Sequence, residues 1–319
     1  MQKQFINWLN NHFFPSCLRG MMEAMSGKGM GLKVEKIIWN GKLVSREDAK
    51  VDIEDRGYQF GDGIYEVVRV YNGHLFTLRE HMERLFESAR KIKLEVPYSI
   101  SQIEGWLKGL VAENNLQSGT VYVQITRGKA PRNHLFPEQG EAVFVAKTNM
   151  ADRPADKLQN GVAAITVEDI RWLKCDIKSL NLLGNILAKQ TAFEQGCFEA
   201  IQHRNGMVTE GSSSNISIVS GGQVITHPAN NLILNGIVRQ VLLGLCRENR
   251  IPFQEEPFSL EQLYAADEVF MTSTTSEIMP ITEIDGKQIG DGMPGELTKK
   301  LQALYEQAIN SECGLPAIH

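Results

Sequence analysis

Runs of alternating apolar and polar residues, joined by two-residue turns, begin at about Val34 and fill the first half of the chain. Asn40-Gly41 and Asn72-Gly73 each separate two such runs, and an asparagine followed by a glycine is typical of the tight turn in a β-hairpin. Apolar residues also recur with the spacing of an amphipathic helix in 78–89 and 103–111. The pattern predicts a sheet accompanied by two helices.

The remaining strands and helices follow one another without strict alternation. Further strands are predicted at 121–126, 142–146, 162–167, 199–203, 207–209, 216–219, 224–226 and 268–271. Further helices are predicted at 182–195, 237–248, 260–265 and 295–309. Because hairpins and helices are mixed in this way, the pattern favours the α+β class over a doubly wound parallel sheet.

The chain length of 319 residues is enough for about two domains. A polar, proline-containing stretch at 148–159 is the best candidate for a linker. We therefore predict a smaller domain at 34–153 and a larger one at 154–319, each containing helices and strands. Residues 1–33 precede both domains, and we expect a flexible extension there. A secretory signal is disfavoured because polar residues interrupt the apolar part.

Composition and charge exclude several classes of protein. The formal net charge is −5, whereas a protein that binds nucleic acid or an anionic membrane is more often basic. No apolar run approaches the ~18 residues that span a bilayer. The 5 cysteines include no CxxC pair and the 7 histidines no HExxH motif, so neither a disulfide framework nor a metal site is indicated. We expect a cytoplasmic protein without nucleic-acid, membrane or metal partners.

Three segments carry residues that could do chemistry. Lys178 lies between Ile177 and Leu180 where a strand gives way to a helix, and apolar neighbours favour a nucleophilic amine. Glu210 is followed by a glycine and three serines, which would let a flat or phosphorylated ligand approach closely. The run Thr272–Ser276 follows a strand and offers hydroxyl and N–H donors to a phosphate. Each segment alone is more often an ordinary surface lysine, a capped turn or a polar loop.

Cationic side chains add a further signal. Arg132 and His134 share a stiff loop and could hold a carboxylate, although exposed loop cations are common. Arg84 has a simpler explanation in a surface ion pair with Glu80, four residues earlier on the same helix. Taken together, however, a nucleophilic lysine, a carboxylate, a phosphate cup and carboxylate-binding cations are what pyridoxal-phosphate chemistry requires.

Longer ordered stretches of the chain resemble one enzyme family. They are Glu54–Gly63 with Tyr65, Arg132–His134, Cys175–Gly184, Thr209–Asn215, His227–Asn230 and Thr272–Ile278. Through them the chain resembles the fold-type IV pyridoxal-phosphate aminotransferases, and among these the bacterial D-amino-acid aminotransferases. The resemblance extends from about Val34 to the final helix. It implies a two-domain α+β fold, pyridoxal 5′-phosphate as the cofactor, and a homodimer with both sites near the interface.

The same resemblance assigns roles in the cofactor site. Lys178 would hold the cofactor as an internal aldimine and move a proton between the substrate Cα and the cofactor C4′. Glu210 would pair with the protonated pyridine nitrogen, and Leu234 would pack beside the cofactor. The phosphate would be bound by Arg84, Ile237, Ser273 and Thr274. Val238 stands where the family usually has a threonine that assists the phosphate, so we expect somewhat looser cofactor binding.

Substrate binding and reaction follow from the resemblance as well. Tyr65, Arg132 and His134 resemble the three residues that hold the substrate α-carboxylate in the D-specific enzymes. The implied reaction is the reversible, ping-pong transfer of an amino group from a D-amino acid such as D-alanine to a 2-oxo acid. With 2-oxoglutarate it would give pyruvate and D-glutamate, and the enzyme would supply D-alanine and D-glutamate for the cell wall.

Three alternatives stay open at this point: an L-branched-chain aminotransferase, an aminodeoxychorismate lyase and a non-catalytic cofactor-binding protein. Arg132 and His134 argue against the branched-chain enzyme, because its substrate pocket needs apolar walls rather than two cations. Release of pyruvate without an amino acceptor would identify the lyase.

Overall fold

The computed structural model describes residues 35–138 and 140–314, so the extension predicted at residues 1–33 lies outside the described residues. The first sheet is antiparallel, with the strand order β2-β1-β6-β5-β3-β4. Its strands are β1 (Lys36–Trp39), β2 (Lys42–Ser45), β3 (Gly63–Tyr71), β4 (His74–Leu75), β5 (Gly119–Thr126) and β6 (Val143–Met150). Asn40 and Gly41 have φ angles of 47° and 77°, the left-handed pair that this hairpin turn requires. Both hairpin predictions are confirmed.

Helices cover the first sheet. They are α1 (Arg56–Phe60), α2 (Leu78–Lys91) and α3 (Ile100–Glu113), with a short 3₁₀ helix at Arg46–Asp48. A capping box of Ser99 and Gln102 begins α3. Leu85 of α2 and Leu107 of α3 are fully buried in the same cluster as Val121 of the sheet. The predicted apolar stripes therefore form the core of this part, and their burial stabilises both helices.

The second sheet has nine strands and mixes parallel with antiparallel pairs. Its order is β12-β11-β10-β13-β14-β7-β8-β9, with β15 paired to β14. The strands are β7 (Val162–Glu168), β8 (Glu199–Arg204), β9 (Met207–Gly211), β10 (Asn215–Ser220), β11 (Gln223–Thr226), β12 (Phe253–Glu255), β13 (Glu268–Ser273), β14 (Glu277–Ile284) and β15 (Lys287–Gln288). The pairs β14–β7, β7–β8 and β11–β12 are parallel, and this mixture fits the predicted α+β class.

Five helices accompany the second sheet: α4 (Ala155–Asn160), α5 (Leu183–Glu194), α6 (Ile237–Glu248), α7 (Leu260–Tyr264) and α8 (Glu296–Cys313). The last of these extends beyond the end predicted at residue 309. None of the described helices is long and apolar enough to cross a membrane.

Several local features differ from the sequence-based expectation, which did not include α1, β12 or β15. The stretch 148–159 is not a linker throughout, because β6 continues to Met150 and α4 begins at Ala155. The strand β14 was not predicted at all. Pro280 lies in its middle, opposite Phe270, and a proline weakens the strand pattern. The division into two domains at residue 153 stays a prediction.

The segment around Lys178 joins the second half of the chain to the first sheet. The N–H of Tyr65 in β3 donates to the carbonyl of Lys178 over 3.0 Å, and the N–H of Leu180 donates to the carbonyl of Gly63 over 3.0 Å. The Lys178 N–H in turn donates to Ser88 Oγ of α2 over 3.2 Å. Hydrogen bonds on both sides of Lys178 thus tie its backbone to the first sheet and to α2.

Candidate active site

A cavity of about 280 Å³ collects the residues that the sequence singles out. All predicted site residues except Arg132 and His134 line it. They are Tyr65, Arg84, Lys178, Glu210, Leu234, Ile237, Val238, Ser273 and Thr274. They come from both sheets, from α2 and from the start of α6, so only the folded chain brings them together.

Lys178 is half-buried and its amine lies over an aromatic ring. The Nζ atom is 4.2 Å from the centroid of the Tyr65 ring. A cation above a ring face is attracted by the ring's electron density. Because the backbone of Lys178 is bonded to that of Tyr65, the two side chains share one wall of the cavity.

Glu210, the residue before the last in β9, is a buried carboxylate whose two oxygens both accept hydrogen bonds. Its Oε2 accepts hydrogen bonds of 3.0 Å from Asn215 Nδ2 and from the Leu234 N–H. Its Oε1 accepts from the guanidinium of Arg171. Burial raises the pKa of Glu210 to about 7, although the charge and hydrogen bond of Arg171 oppose the shift. Such a group can carry or share a proton near neutral pH.

Arg84 does not form the surface ion pair with Glu80 that its helical spacing suggests. Its Nε lies 2.7 Å from Oε1 and its NH2 2.9 Å from Oε2 of Glu66, a fully buried carboxylate of β3. His81 Nδ1 also lies 2.7 Å from Oε2 of the same carboxylate. Burial disfavours the charged form of Glu66, but the charge of Arg84 holds its pKa well below the usual range. The third guanidinium nitrogen donates to the carbonyl of Asn235 over 3.1 Å.

The start of α6 and the turn between β13 and β14 supply hydrogen-bond donors. Gly236 precedes α6 and makes no side-chain cap, so the first N–H groups of the helix are available to an anion. A Cβ atom at Gly236 would lie 2.1 Å from Asn215 Oδ1, which explains the glycine. Thr272 also lines the cavity, and its buried hydroxyl has no hydrogen-bond partner among the described residues.

This set of donors fits the cofactor that the sequence predicts. A phosphate group needs a cation and converging N–H and hydroxyl donors, which Arg84, the start of α6 and the turn at Ser273 provide. A pyridine nitrogen needs a buried carboxylate, which Glu210 provides. A lysine amine faces the same cavity. Among the described residues, no group of three or more His, Cys, Asp or Glu side chains could hold a metal ion.

Arg132 and His134 lie apart from the cavity. Both are exposed on the loop after β5, where they contact the ring of Phe60. The guanidinium carbon of Arg132 is 4.5 Å from the centroid of that ring, and the two ring centroids of Phe60 and His134 are 5.7 Å apart. One copy of the chain therefore does not assemble these two residues with Tyr65.

Comparison with known proteins identifies the family of the chain. Residues 63–284 match the family described as amino-transferase class IV. The chain belongs to this class IV aminotransferase family. It is 52% identical over 277 residues to a D-alanine aminotransferase of Staphylococcus epidermidis, covering 86% of this chain and 98% of that protein.

Solved structures in the same family share the fold. The branched-chain amino acid aminotransferase of Escherichia coli aligns with a TM-score of 0.83 and 30% identity, over 86% of this chain and 94% of the other. The branched-chain aminotransferase of the thermophilic archaeon Thermoproteus uzoniensis, solved with norvaline, aligns with a TM-score of 0.80 and 30% identity, over 88% of this chain and 95% of the other. A further branched-chain amino acid aminotransferase, solved with pyridoxamine 5′-phosphate, aligns with a TM-score of 0.82 and 26% identity, over 89% of this chain and 96% of the other. The predicted α+β, fold-type IV architecture is confirmed.

Sequence reasoning missed one charged network of this class IV aminotransferase. Arg171, which contacts Glu210, also forms two bonds to Asp169, with Nε 2.9 Å from Oδ1 and NH2 2.8 Å from Oδ2. Asp169 accepts further bonds from Arg204 and Thr209. Burial disfavours its charge, but these donors hold the pKa of Asp169 far below the usual range. Its place just beyond the end of β7 was the available signal, because side chains there often face a cleft.

Proposed function

We propose that this class IV aminotransferase transfers the amino group of a D-amino acid to a 2-oxo acid, with pyridoxal 5′-phosphate as the cofactor. D-alanine and 2-oxoglutarate are the proposed substrate pair, giving pyruvate and D-glutamate. The observation that carries the chemistry is the single cavity lined by Lys178, Glu210 and Arg84. The D-alanine aminotransferase of Staphylococcus epidermidis, similar over nearly its whole length, supports the substrate class.

The cofactor, when bound, would supply an electron sink for the negative charge that develops at the substrate Cα. Lys178 Nζ would anchor it covalently. Once the substrate amine had replaced Lys178 in that bond, the freed Nζ would take the proton from Cα and deliver it to the cofactor C4′. Glu210 would hold a proton on the pyridine nitrogen through its buried carboxylate, whose charged form Arg171 favours. Leu234 would pack against the ring, since its backbone is tied to Glu210.

The phosphate would lie between Arg84, the first N–H groups of α6 at Ile237 and Val238, and the turn containing Ser273 and Thr274. Glu66 would keep the guanidinium of Arg84 in place through its two hydrogen bonds. Val238 contributes only its backbone N–H where a threonine would add a hydroxyl donor, so we expect weaker retention of the phosphate rather than its loss.

We also propose a homodimer in which the substrate carboxylate is bound by both copies. Tyr65 lines the cavity, whereas Arg132 and His134 are exposed and lie outside it. If these two cations bind the carboxylate, a second copy of the chain must deliver them. The exposed Phe136 and Leu135, 54% and 74% accessible on the same loop, are side chains that a subunit interface would cover.

A cytoplasmic location is the last part of the proposal. The four described cysteines form no disulfide, as expected of a protein in a reducing compartment.

An L-branched-chain aminotransferase is the second candidate, because the Escherichia coli enzyme with that activity shares the fold at 30% identity. The deciding experiment measures pyruvate formation from D-alanine and L-alanine in parallel, each with 2-oxoglutarate and added cofactor, and 2-oxo acid formation from L-leucine. We expect turnover with D-alanine only. Turnover with L-leucine instead would replace the D-specific assignment by the branched-chain one, and cofactor binding without turnover of any of these amino acids would favour the lyase.

Substitution of Lys178, with a matched control, tests whether the activity depends on the cavity. Lys178→Ala is expected to lose turnover about 10³-fold or more, because it loses both the covalent anchor and the proton carrier. Lys174→Ala is the matched control, since Lys174 is exposed and does not line the cavity. Equal activity of the two variants would refute the role of Lys178.

A further inference from the structure

The turn between β13 and β14 ends on a residue with an unfavourable backbone conformation. Glu277, the first residue of β14, has a φ angle of +55°, in the left-handed region that side chains other than glycine rarely adopt. It is also 4% exposed. A strained conformation at a buried position persists only where the surroundings hold it.

The Glu277 carboxylate is held by two other elements of the fold. Its Oε1 accepts hydrogen bonds from the Tyr71 hydroxyl of β3, over 2.9 Å, and from Arg153 Nε, over 2.8 Å. Its Oε2 accepts from Arg153 NH2 over 2.8 Å. Arg153 lies between β6 and α4 and also donates to Glu306 of α8 over 3.0 Å. We name these four residues, Tyr71, Arg153, Glu277 and Glu306, the Glu277 clasp.

The clasp is directly connected to the proposed phosphate-binding turn. Glu277 pairs with Ser273 in the register of β13 and β14, so these two residues close the turn. Ser273 Oγ also accepts a hydrogen bond of 3.1 Å from the Ser276 N–H inside it. Ser273 and Thr274 line the cavity on the other side. The backbone angle at Glu277 therefore sets the direction in which the turn presents its donors.

We infer that Glu277 is a positioning residue for the cofactor phosphate, acting through the turn Ser273–Ser276 without touching the cofactor. Tyr71 and Arg153 hold its carboxylate, and this hold keeps the backbone left-handed. Without the carboxylate the backbone relaxes toward the ordinary extended region and the turn moves its donors away. The inference rests on the proposed role of Ser273 and Thr274 in phosphate binding.

A comparison of cofactor forms tests this role. The full-length holoenzyme is dialysed to equilibrium against mixtures of pyridoxal 5′-phosphate and pyridoxal, which lacks the phosphate, and the bound ratio gives the phosphate preference. Glu277→Ala is expected to lower this preference about tenfold, and Glu277→Gly by no more than about threefold, because glycine adopts the left-handed conformation without strain. A role in burying an ion pair alone would affect both variants alike.

Two further variants complete the design. Glu306→Gln is the matched control, because it removes the negative charge of the other partner of Arg153 while leaving Glu277 bonded, and it should keep the wild-type preference. Tyr71→Phe removes one donor to Glu277 but keeps the ring packed on Phe76, and it should lower the preference about threefold. It is the variant to use if Glu277→Ala does not fold.

The outcomes separate this inference from the proposed function. Thr274→Asp places a negative charge on the turn and must lower the phosphate preference strongly if the turn faces the phosphate. If Thr274→Asp has no effect, both the phosphate assignment and the role of Glu277 are overturned. If it does but Glu277→Ala and Glu277→Gly behave alike, or neither loses the preference, only the positioning role of Glu277 is overturned.

Discussion

The guanidinium of Arg171 contacts the carboxylate of Glu210 in the wall of the cavity, and the two side chains are only 5% and 7% exposed. A buried carboxylate without such a partner would be neutral at physiological pH. Asp169 on the far side of Arg171 balances the arginine charge and fixes the guanidinium plane. Under the proposed function, this ion pair would let Glu210 interact with a protonated ring nitrogen while remaining largely enclosed by protein.

Arg171→Met should therefore shift the protonation equilibrium of Glu210. Loss of the cation raises the pKa of Glu210 further above 7, so the carboxyl becomes neutral at about pH 7.5 and pairs poorly with a protonated ring nitrogen. We expect kcat to fall at least about tenfold and the absorption spectrum of the bound cofactor to change its pH dependence. Lys174→Met is the control. An unchanged pH dependence in Arg171→Met would show that Arg171 serves only the stability of the fold.

In the cofactor-free protein, the buried Glu210 should make the free energy of unfolding depend on pH. The pKa of this group is raised from 4.5 to about 7 in the folded state, so the folded protein binds an extra proton between these values. The favourable contribution of the protonated Glu210 to the free energy of unfolding is complete below pH 4.5 and is lost as the pH rises through 7. Glu210→Gln should remove this loss, on the order of 3 kcal/mol. Denaturant unfolding of both proteins at about pH 5 and pH 8 measures the difference, and parallel pH profiles would contradict the prediction.

Val238→Thr should tighten the binding of pyridoxal 5′-phosphate. Val238 is the second residue of α6 and lines the cavity, so a hydroxyl there can add one hydrogen bond to a charged phosphate. We expect about a tenfold lower dissociation constant for pyridoxal 5′-phosphate and little change for pyridoxal. Val241→Thr on the same helix does not line the cavity and serves as the control. Equal effects on both cofactor forms would place the hydroxyl away from the phosphate.

Co-expression of two defective variants should restore one fully functional site if the carboxylate site is shared. Arg132→Ala is expected to raise the KM for D-alanine about tenfold or more while cofactor binding stays unchanged. A mixed dimer of Arg132→Ala with Lys178→Ala has one site with both Lys178 and a delivered Arg132. That site should recover the wild-type KM. If the purified mixed dimer keeps the high KM, Arg132 acts within its own chain or not at all.

Local patterns predicted much of the secondary structure. Asn40-Gly41 formed its hairpin because the turn depends on two adjacent residues, and α6 formed at 237–248 because its apolar stripe has helical spacing. Lys178 and Glu210 could be singled out because Lys178 lies in a connection from a strand to a helix and Glu210 lies near the end of a hairpin strand. The strand β14 was missed because Pro280 weakens its strand pattern. The strand forms through its pairing with β13 and β7 on either side.

The sequence by itself determined the class of fold, the cofactor family and nine of the residues that line the cavity, since these depend on short motifs in a known order. Only the tertiary structure decided which charged side chains form ion pairs. Arg84 pairs with Glu66 of another element rather than with Glu80 on its own helix, and Arg171 reaches Glu210. It also placed Arg132 outside the cavity. Ion pairs between distant residues depend on the path of the whole chain and on the burial that folding creates, and no local spacing encodes either.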